Sequence, residues 1–216
     1  MELGPGGIEV PKAGVGNTPS VPAKPKREPP SDAELAAVRK MKHYGYFVET
    51  WRSGRMFKID TVGLKGGKIV VMPIRNFDLT PLRDCEEITE AGLTRFNITD
   101  PYLAGLNGAR IEKLSIDRCP NLTDAAFPPL AGVKGLKELR LGGPRVTAAA
   151  LASLSTLTEL EKLIVSGRGF TDDSVDAIAE HLRPIRSLKE LWTAETLISG
   201  EGRRRLGELL PNVELL

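Results

Sequence analysis

Few residues in this chain have the type and spacing that chemistry needs. Cys85 and Cys119 stand 34 residues apart, neither belongs to a Cys-x-x-Cys pair, and His43 and His181 are isolated. Structural zinc sites draw their ligands from closely spaced pairs, so no metal site is expected. Cys119 is expected in a buried turn and Cys85 on an outer segment; a disulfide would require the fold to bring them together. The chain has no P-loop and no Gly-x-Ser-x-Gly elbow. Gly63, Gly66 and Gly67 match no phosphate motif and read better as a tight turn. Glu86-Glu87 and Asp172-Asp173 are adjacent carboxylates, which solvated surface and helix capping explain better than acid–base catalysis. The reading is a non-enzymatic chain with no cofactor.

Arg203-Arg204-Arg205, with Arg183, Arg186 and Lys189 before it, is the strongest local positive charge. A phosphate-contacting stripe must be continuous on one face. Glu201 and Glu208 flank the run, Glu190 interrupts its neighbourhood, and no aromatic residue interleaves with the triplet. Nucleic acid is therefore not an expected partner. The formal net charge is only +2 with 27% charged residues, which gives no strong pull toward nucleic acid or an anionic membrane. No apolar run reaches the length of a membrane span, and Met1 is not followed by a basic then apolar segment. A cytoplasmic location is the expectation.

The elements that must position any site divide the chain in three. Residues 1–30 are rich in Pro and Gly and poor in large apolar side chains, so they are read as a disordered tail. Lys24-Pro25-Lys26-Arg27 within it is either a docking tag or, the reading adopted, a solvated linker. Residues 31–63 read as an N-terminal cap. Ser31-Asp32-Ala33-Glu34 is a capping-box pattern, Leu35, Val38 and Met41 share a helix face, and Gly45 is placed to end the helix. Tyr46 to Trp51 and Met56 to Thr61 then read as a hairpin turning at Arg52-Ser53-Gly54-Arg55. Tyr44, Tyr46, Phe47, Trp51 and Phe57 are expected as core of this cap and not as a ligand cage.

Residues 64–216 repeat. Leu136-x-x-Leu139-x-Leu141 is followed by Pro144, Val146-Thr147, Leu151, Leu154 and Leu157, and the phrase restarts 24 residues later at Leu160-x-x-Leu163-x-Val165. Leu139 and Leu141 alternate as in a strand, while Leu151, Leu154 and Leu157 recur at helical spacing. Thr99, Thr123, Thr147 and Thr171 keep the same 24-residue step, and Asp100, Asp124 and Asp172 follow three of them, as at helix starts. The strand cores fall at Gly67/Ile69, Ala91/Leu93, Leu114/Ile116, Leu139/Leu141, Leu163/Val165, Leu191/Thr193 and Val213/Leu215. Ile88-Thr89-Glu90-Ala91-Gly92-Leu93 could instead open a helix, but that would break the step, so it is placed on a strand.

At these residues the chain resembles the leucine-rich repeat family, bacterial-type repeats of about 24 residues. The resemblance covers residues 64–216. It implies an α/β solenoid with a parallel β-sheet on a concave face and short helices on the convex face, preceded here by the helix and hairpin. Many members place Asn or Cys three residues after the second strand Leu; here that column reads Met72, Phe96, Cys119, Pro144, Arg168 and Thr196, so only Cys119 matches. The resemblance also implies protein–protein interaction, with the chain serving as a scaffold for recognition.

Strand alternation then gives three columns on the concave face. Gly66, Glu90, Lys113, Glu138, Lys162 and Glu190 alternate in sign from Glu90 onward and read as a register and solubility device. The second column is Lys68, Gly92, Ser115, Arg140, Ile164 and Trp192. The third is Val70, Thr94, Asp117, Gly142, Ser166 and Ala194. Arg140, Ile164 and Trp192 beside the small residues Gly142, Ser166 and Ala194 form the candidate partner-binding patch, because Trp and Arg are favoured anchors; Trp192 could alternatively cover an irregular last repeat. The alternative function is a structural subunit that associates through an uncapped C-terminal edge at Val213 and Leu215.

Overall fold

Ser31 opens the first helix, α1 (Asp32–Tyr44), because its hydroxyl accepts the Glu34 backbone N–H at 3.1 Å. Gly45 closes it at φ 99° and donates its own N–H to the Lys42 carbonyl. Ala37, Val38 and Met41 are buried, Leu35 is half-buried, and the helix packs against the segment Thr80–Asp84. The chain is a computed structural model that describes residues 29–50, 56–65, 68–71, 78–95 and 97–216. The expectations for residues 1–28, for the Arg52-Ser53-Gly54-Arg55 turn and for Trp51, Gly66, Gly67, Met72 and Phe96 lie outside the described residues.

Next come β1 (Phe47–Thr50) and β2 (Met56–Asp60), an antiparallel hairpin with Phe47 opposite Asp60. β3 (Val62–Lys65) and β4 (Lys68–Val71) pair with each other in a separate two-stranded ladder. β5 (Ile88–Thr94), β6 (Ile111–Asp117), β7 (Glu138–Gly142), β8 (Lys162–Thr171), β9 (Glu190–Leu197) and β10 (Glu214–Leu215) follow in order. They join β1 and β2 in one eight-stranded sheet, ordered as in the chain, with every pair after β1–β2 parallel.

The first repeat needs correction. The 24-residue step puts a strand core at Gly67/Ile69, but Ile69 lies in β4, outside the large sheet. The strand beside β5 is β2, with Lys58, Ile59 and Asp60 opposite Glu90, Ala91 and Gly92. The physical reason is side-chain supply. Met56 and Ile59 are both fully buried, whereas the expected strand opens its core row on Gly67, which has no side chain to bury. From β5 to β9 the expected core row holds: Leu114, Leu139, Leu163 and Leu191 pair in a row, all buried. At β10 it slips by two residues, because Leu215 and not Val213 lies opposite Leu191. Ile88 to Leu93 is strand, not helix start.

The outer segments differ in kind from ordinary α-helices. Thr80–Asp84, Asp100–Leu106, Asp124–Ala126, Pro128–Gly132, Ala148–Thr156 and Asp172–Ser174 are 3-10 helical. Only α2 (Val175–Leu182) and α3 (Gly200–Leu209) are α-helical on this side among the described residues. Leu151, Leu154 and Leu157 recur strictly every third residue, which matches three residues per turn and stacks them on one edge, all buried. Pro81, Pro101 and Pro128 sit in first turns, where a missing N–H breaks no bond.

A polar ladder ties these outer segments together. Asp100 accepts both the backbone N–H (2.8 Å) and the hydroxyl (2.6 Å) of Thr123 in the next repeat. Asp124 does the same for Thr147, at 2.7 Å each. At the next step the aligned residue is Ala148, so Thr171 has no acid to meet and its N–H donates to Ser174 instead. The ladder resumes as Asp172 accepts the Ser199 N–H at 2.8 Å; the Ser199 side chain first, and this N–H second, hold its carboxyl below the usual range. These Thr–Asp pairs stand where an asparagine ladder is missing, one turn further along the chain.

Candidate binding face

Side chains of a strand alternate between the two faces of its sheet. On the open face the charged column is in register, and it begins with Lys58, not Gly66. Lys58, Glu90, Lys113, Glu138, Lys162 and Glu190 are successive neighbours across β2 to β9. Ion pairs form at 2.8 Å (Lys58–Glu90), 3.6 Å (Lys113–Glu138) and 3.4 Å (Lys162–Glu190). A second column one residue earlier alternates in the opposite phase, with Glu112–Lys137 at 3.4 Å and Glu161–Lys189 at 3.0 Å. The signal for it was in the sequence: Glu-Lys, Lys-Glu, Glu-Lys and Lys-Glu at residues 112, 137, 161 and 189.

The second column begins at Asp60 in place of Lys68. It continues through Gly92, Ser115, Arg140, Ile164 and Trp192 as direct neighbours. Arg140, Ile164 and Trp192 are each half-buried. Trp192 is held on two sides: its indole N–H donates to Glu190 at 3.1 Å, and the Lys162 ammonium lies 4.5 Å from its ring centroid. Beyond it, β10 brings Leu216 alongside, 43% exposed.

The third column departs from strict alternation. Thr94 pairs with Asp117 and Gly142 with Ser166, but a bulge between Ile164 and Ser166 sets Ser166 opposite Glu195. Ala194 therefore falls out of this row, and Glu195 takes its place. Two versus one residue across a strand pair is what a bulge does, and a period-two reading cannot see it. The floor is also filled, not shallow. Gly142 and Ser166 are buried, and the Ser166 hydroxyl reaches across Gly142 to Asp117 at 2.8 Å. A Cβ on Gly142 would overlap the Ser166 Oγ and carbonyl oxygen, so only glycine leaves that path open.

Asp117, 5% exposed, is the centre of a cluster in which it, Arg118 and Glu195 all lie outside the expected patch. Its carboxylate accepts from the Arg140 Nε at 3.3 Å and lies 3.5 Å from the Arg118 Nε. Arg118 Nη2 in turn donates to both Glu195 oxygens at 3.0 Å, and Arg140 Nη2 is 3.7 Å from Glu195. The Glu195 carboxyl is lowered below the usual range by the Arg118 hydrogen bond first and by charge second. A groove of about 490 Å³ opens above this cluster, rimmed by Arg95, Arg118, Arg168 and Glu195.

Other candidates are absorbed by structure. Cys85 and Cys119 are buried free thiols; burial, then Glu34 and Asp84, push the Cys85 thiol up to about 12, which leaves it protonated. Cys119 donates to the Leu93 carbonyl at 3.2 Å. In the arginine triplet, Arg203 binds the Ile198 carbonyl, Arg204 binds Glu201 and Glu208, and Arg205 binds Asp176. Among the described residues no cluster of His, Cys, Asp or Glu could hold a metal ion, and no helix is long and apolar enough to cross a membrane.

Fold and face define a mixed α/β repeat architecture with a mostly parallel sheet, compatible with a leucine-rich-repeat-like solenoid. No family model matches the chain, and no curated protein matches it. Among solved structures it is similar to a leucine-rich-repeat protein of Leptospira interrogans, at 13% identity and a TM-score of 0.39 over 63% of this chain. The chain spans 39% of that protein's length.

Proposed function

We propose that the chain is a non-enzymatic leucine-rich-repeat module that binds a protein partner through the concave face of its sheet, with Arg140, Ile164 and Trp192 as anchors. The observation that carries this reading is their alignment as direct neighbours on three successive strands, all half-buried. Trp192 is already oriented by Glu190 and Lys162, and an anchor fixed before binding loses little entropy on binding. Gly142 and Ser166 serve as the floor that keeps Arg140 in place. Helix α1 and the β1–β2 hairpin act as the N-terminal cap of the stack, and the location is cytoplasmic.

The test is a crosslinking pull-down from host lysate with wild type, Trp192→Ala and Glu138→Gln. A partner lost by Trp192→Ala, at a loss of roughly thirtyfold or more in affinity, and kept by Glu138→Gln supports the reading. Normal capture by Trp192→Ala with a much lower melting temperature contradicts it, because Trp192 would then serve the core. A second reading is assembly through the C-terminal edge. It is favoured by the two-residue edge strand β10 and by exposed Leu216. A dimer that vanishes on Leu215→Asp would support that alternative.

A further inference from the structure

We propose that Arg118 and Arg140 form a clamp for a carboxylate of an acidic peptide segment, and that Glu195 occupies this clamp in the free chain. The inference rests on the reading of the concave face as the partner surface and adds the chemistry of what binds at its strand-end side.

Three observations converge. First, guanidiniums from the end of β6 and from β7 meet on one carboxylate from β9, at 3.0 Å from Arg118 and 3.7 Å from Arg140. The gap between them is therefore the size of a single carboxylate. Buried Asp117 contacts both arginines through their Nε atoms, at 3.5 and 3.3 Å, which leaves the Nη2 of each for the Glu195 carboxylate. Second, the arrangement is poorly explained by stability. The Glu195 side chain is 52% exposed, and exposed pairs stabilise little. Yet Arg118 is held at φ +56° and Arg95, its neighbour in the preceding repeat, at φ +57°, a region unfavourable to any residue but glycine. Where the aligned position of a later repeat is again at positive φ, the residue is Gly167, at φ +117°. Left-handed arginines in two successive repeats point to a use for their side chains. Third, Arg95 and Arg168 rim the same groove, are exposed, and have no charge partner among the described residues. Four arginines thus face two acids, Asp117 and Glu195, one of which is exposed and displaceable.

An acidic peptide fits better than nucleic acid, since no residue lining the groove is aromatic and single strands need stacking surfaces. The chain's own tail is a poor occupant: Lys12, Lys24, Lys26 and Arg27 outnumber Glu2, Glu9 and Glu28.

The experiment measures anisotropy of a fluorescein-labelled oligo-glutamate peptide with the full chain. Removing an internal occupant raises apparent affinity by the fraction it had blocked, so Glu195→Ala should bind roughly fivefold to tenfold tighter than wild type. Glu138→Gln also removes a negative charge from the open face and should stay within about twofold of wild type, because it frees no clamp. Arg118→Gly in the Glu195→Ala background should abolish the gain while melting normally, since glycine suits that backbone. The proposal is overturned if Glu195→Ala binds no tighter than Glu138→Gln. It is equally overturned if an oligoribonucleotide of matched charge binds Glu195→Ala more tightly than the peptide does. Loss of the native partner by Trp192→Ala with unchanged peptide binding by Glu195→Ala would sink the clamp and leave the anchor row standing.

Discussion

Two polar networks share the open face of one sheet, and they are built on opposite terms. Near the strand starts, lysines and glutamates alternate from Lys58 to Glu190, each beside opposite charges, in regular backbone and open to water. Near the strand ends, Asp117, Arg118, Arg140, Ser166 and Glu195 gather around a buried carboxylate, beside a bulge, a left-handed arginine and a glycine that can carry no side chain. The first network can lose any one member and keep its neighbours. The second is interlocked, so removing its centre leaves several groups without partners. Register is a property that many weak, repeated contacts can hold, whereas a shaped site needs a few costly ones.

Point substitutions separate the two networks. The largest expected effect is Asp117→Ala, which removes the acceptor for Ser166 and Arg140 from a buried position; unfolding in urea should show a loss of roughly 2–3 kcal/mol. Gly142→Ala comes next, at about 1–3 kcal/mol, because the new methyl overlaps Ser166. On the outer side, Asp124→Ala should cost about 1 kcal/mol by releasing the N–H and hydroxyl of Thr147. Lys113→Gln, in the alternating column, should change stability by only a few tenths of a kcal/mol. If Lys113→Gln proves as damaging as Asp117→Ala, the two networks do not differ in kind.

Much of the sheet was legible because its signal is periodic. Leu114, Leu139, Leu163 and Leu191 recur in fixed phase with buried neighbours two residues on, and the structure pairs them as the phase requires. The same periodicity misled at the first repeat, where Ile69 keeps the step but Met56 and Ile59 offer the better apolar strand. Glu195 was invisible for a different reason: a bulge adds one residue, and nothing in Trp192-Thr193-Ala194-Glu195 marks where it falls. Asp117 carried a fainter signal, an acid in a column otherwise small or apolar. The Thr–Asp step was readable as a set of helix starts. That Asp100 and Asp124 serve the next repeat's Thr, and Asp172 the next repeat's Ser199, depends on stacking, which spacing alone does not reveal.

Site-specific photo-crosslinking shows which surface of the chain the partner touches. A photoreactive side chain in place of Ile164 stands in the anchor row, one in place of exposed Ala152 stands on the outer side, and one in place of Leu215 stands at the C-terminal edge. Crosslinks to the same partner protein from position 164, and none from 152 or 215, are the predicted result. Crosslinks from 152 or 215 with none from 164 would contradict the account, because the partner would then leave the open face untouched.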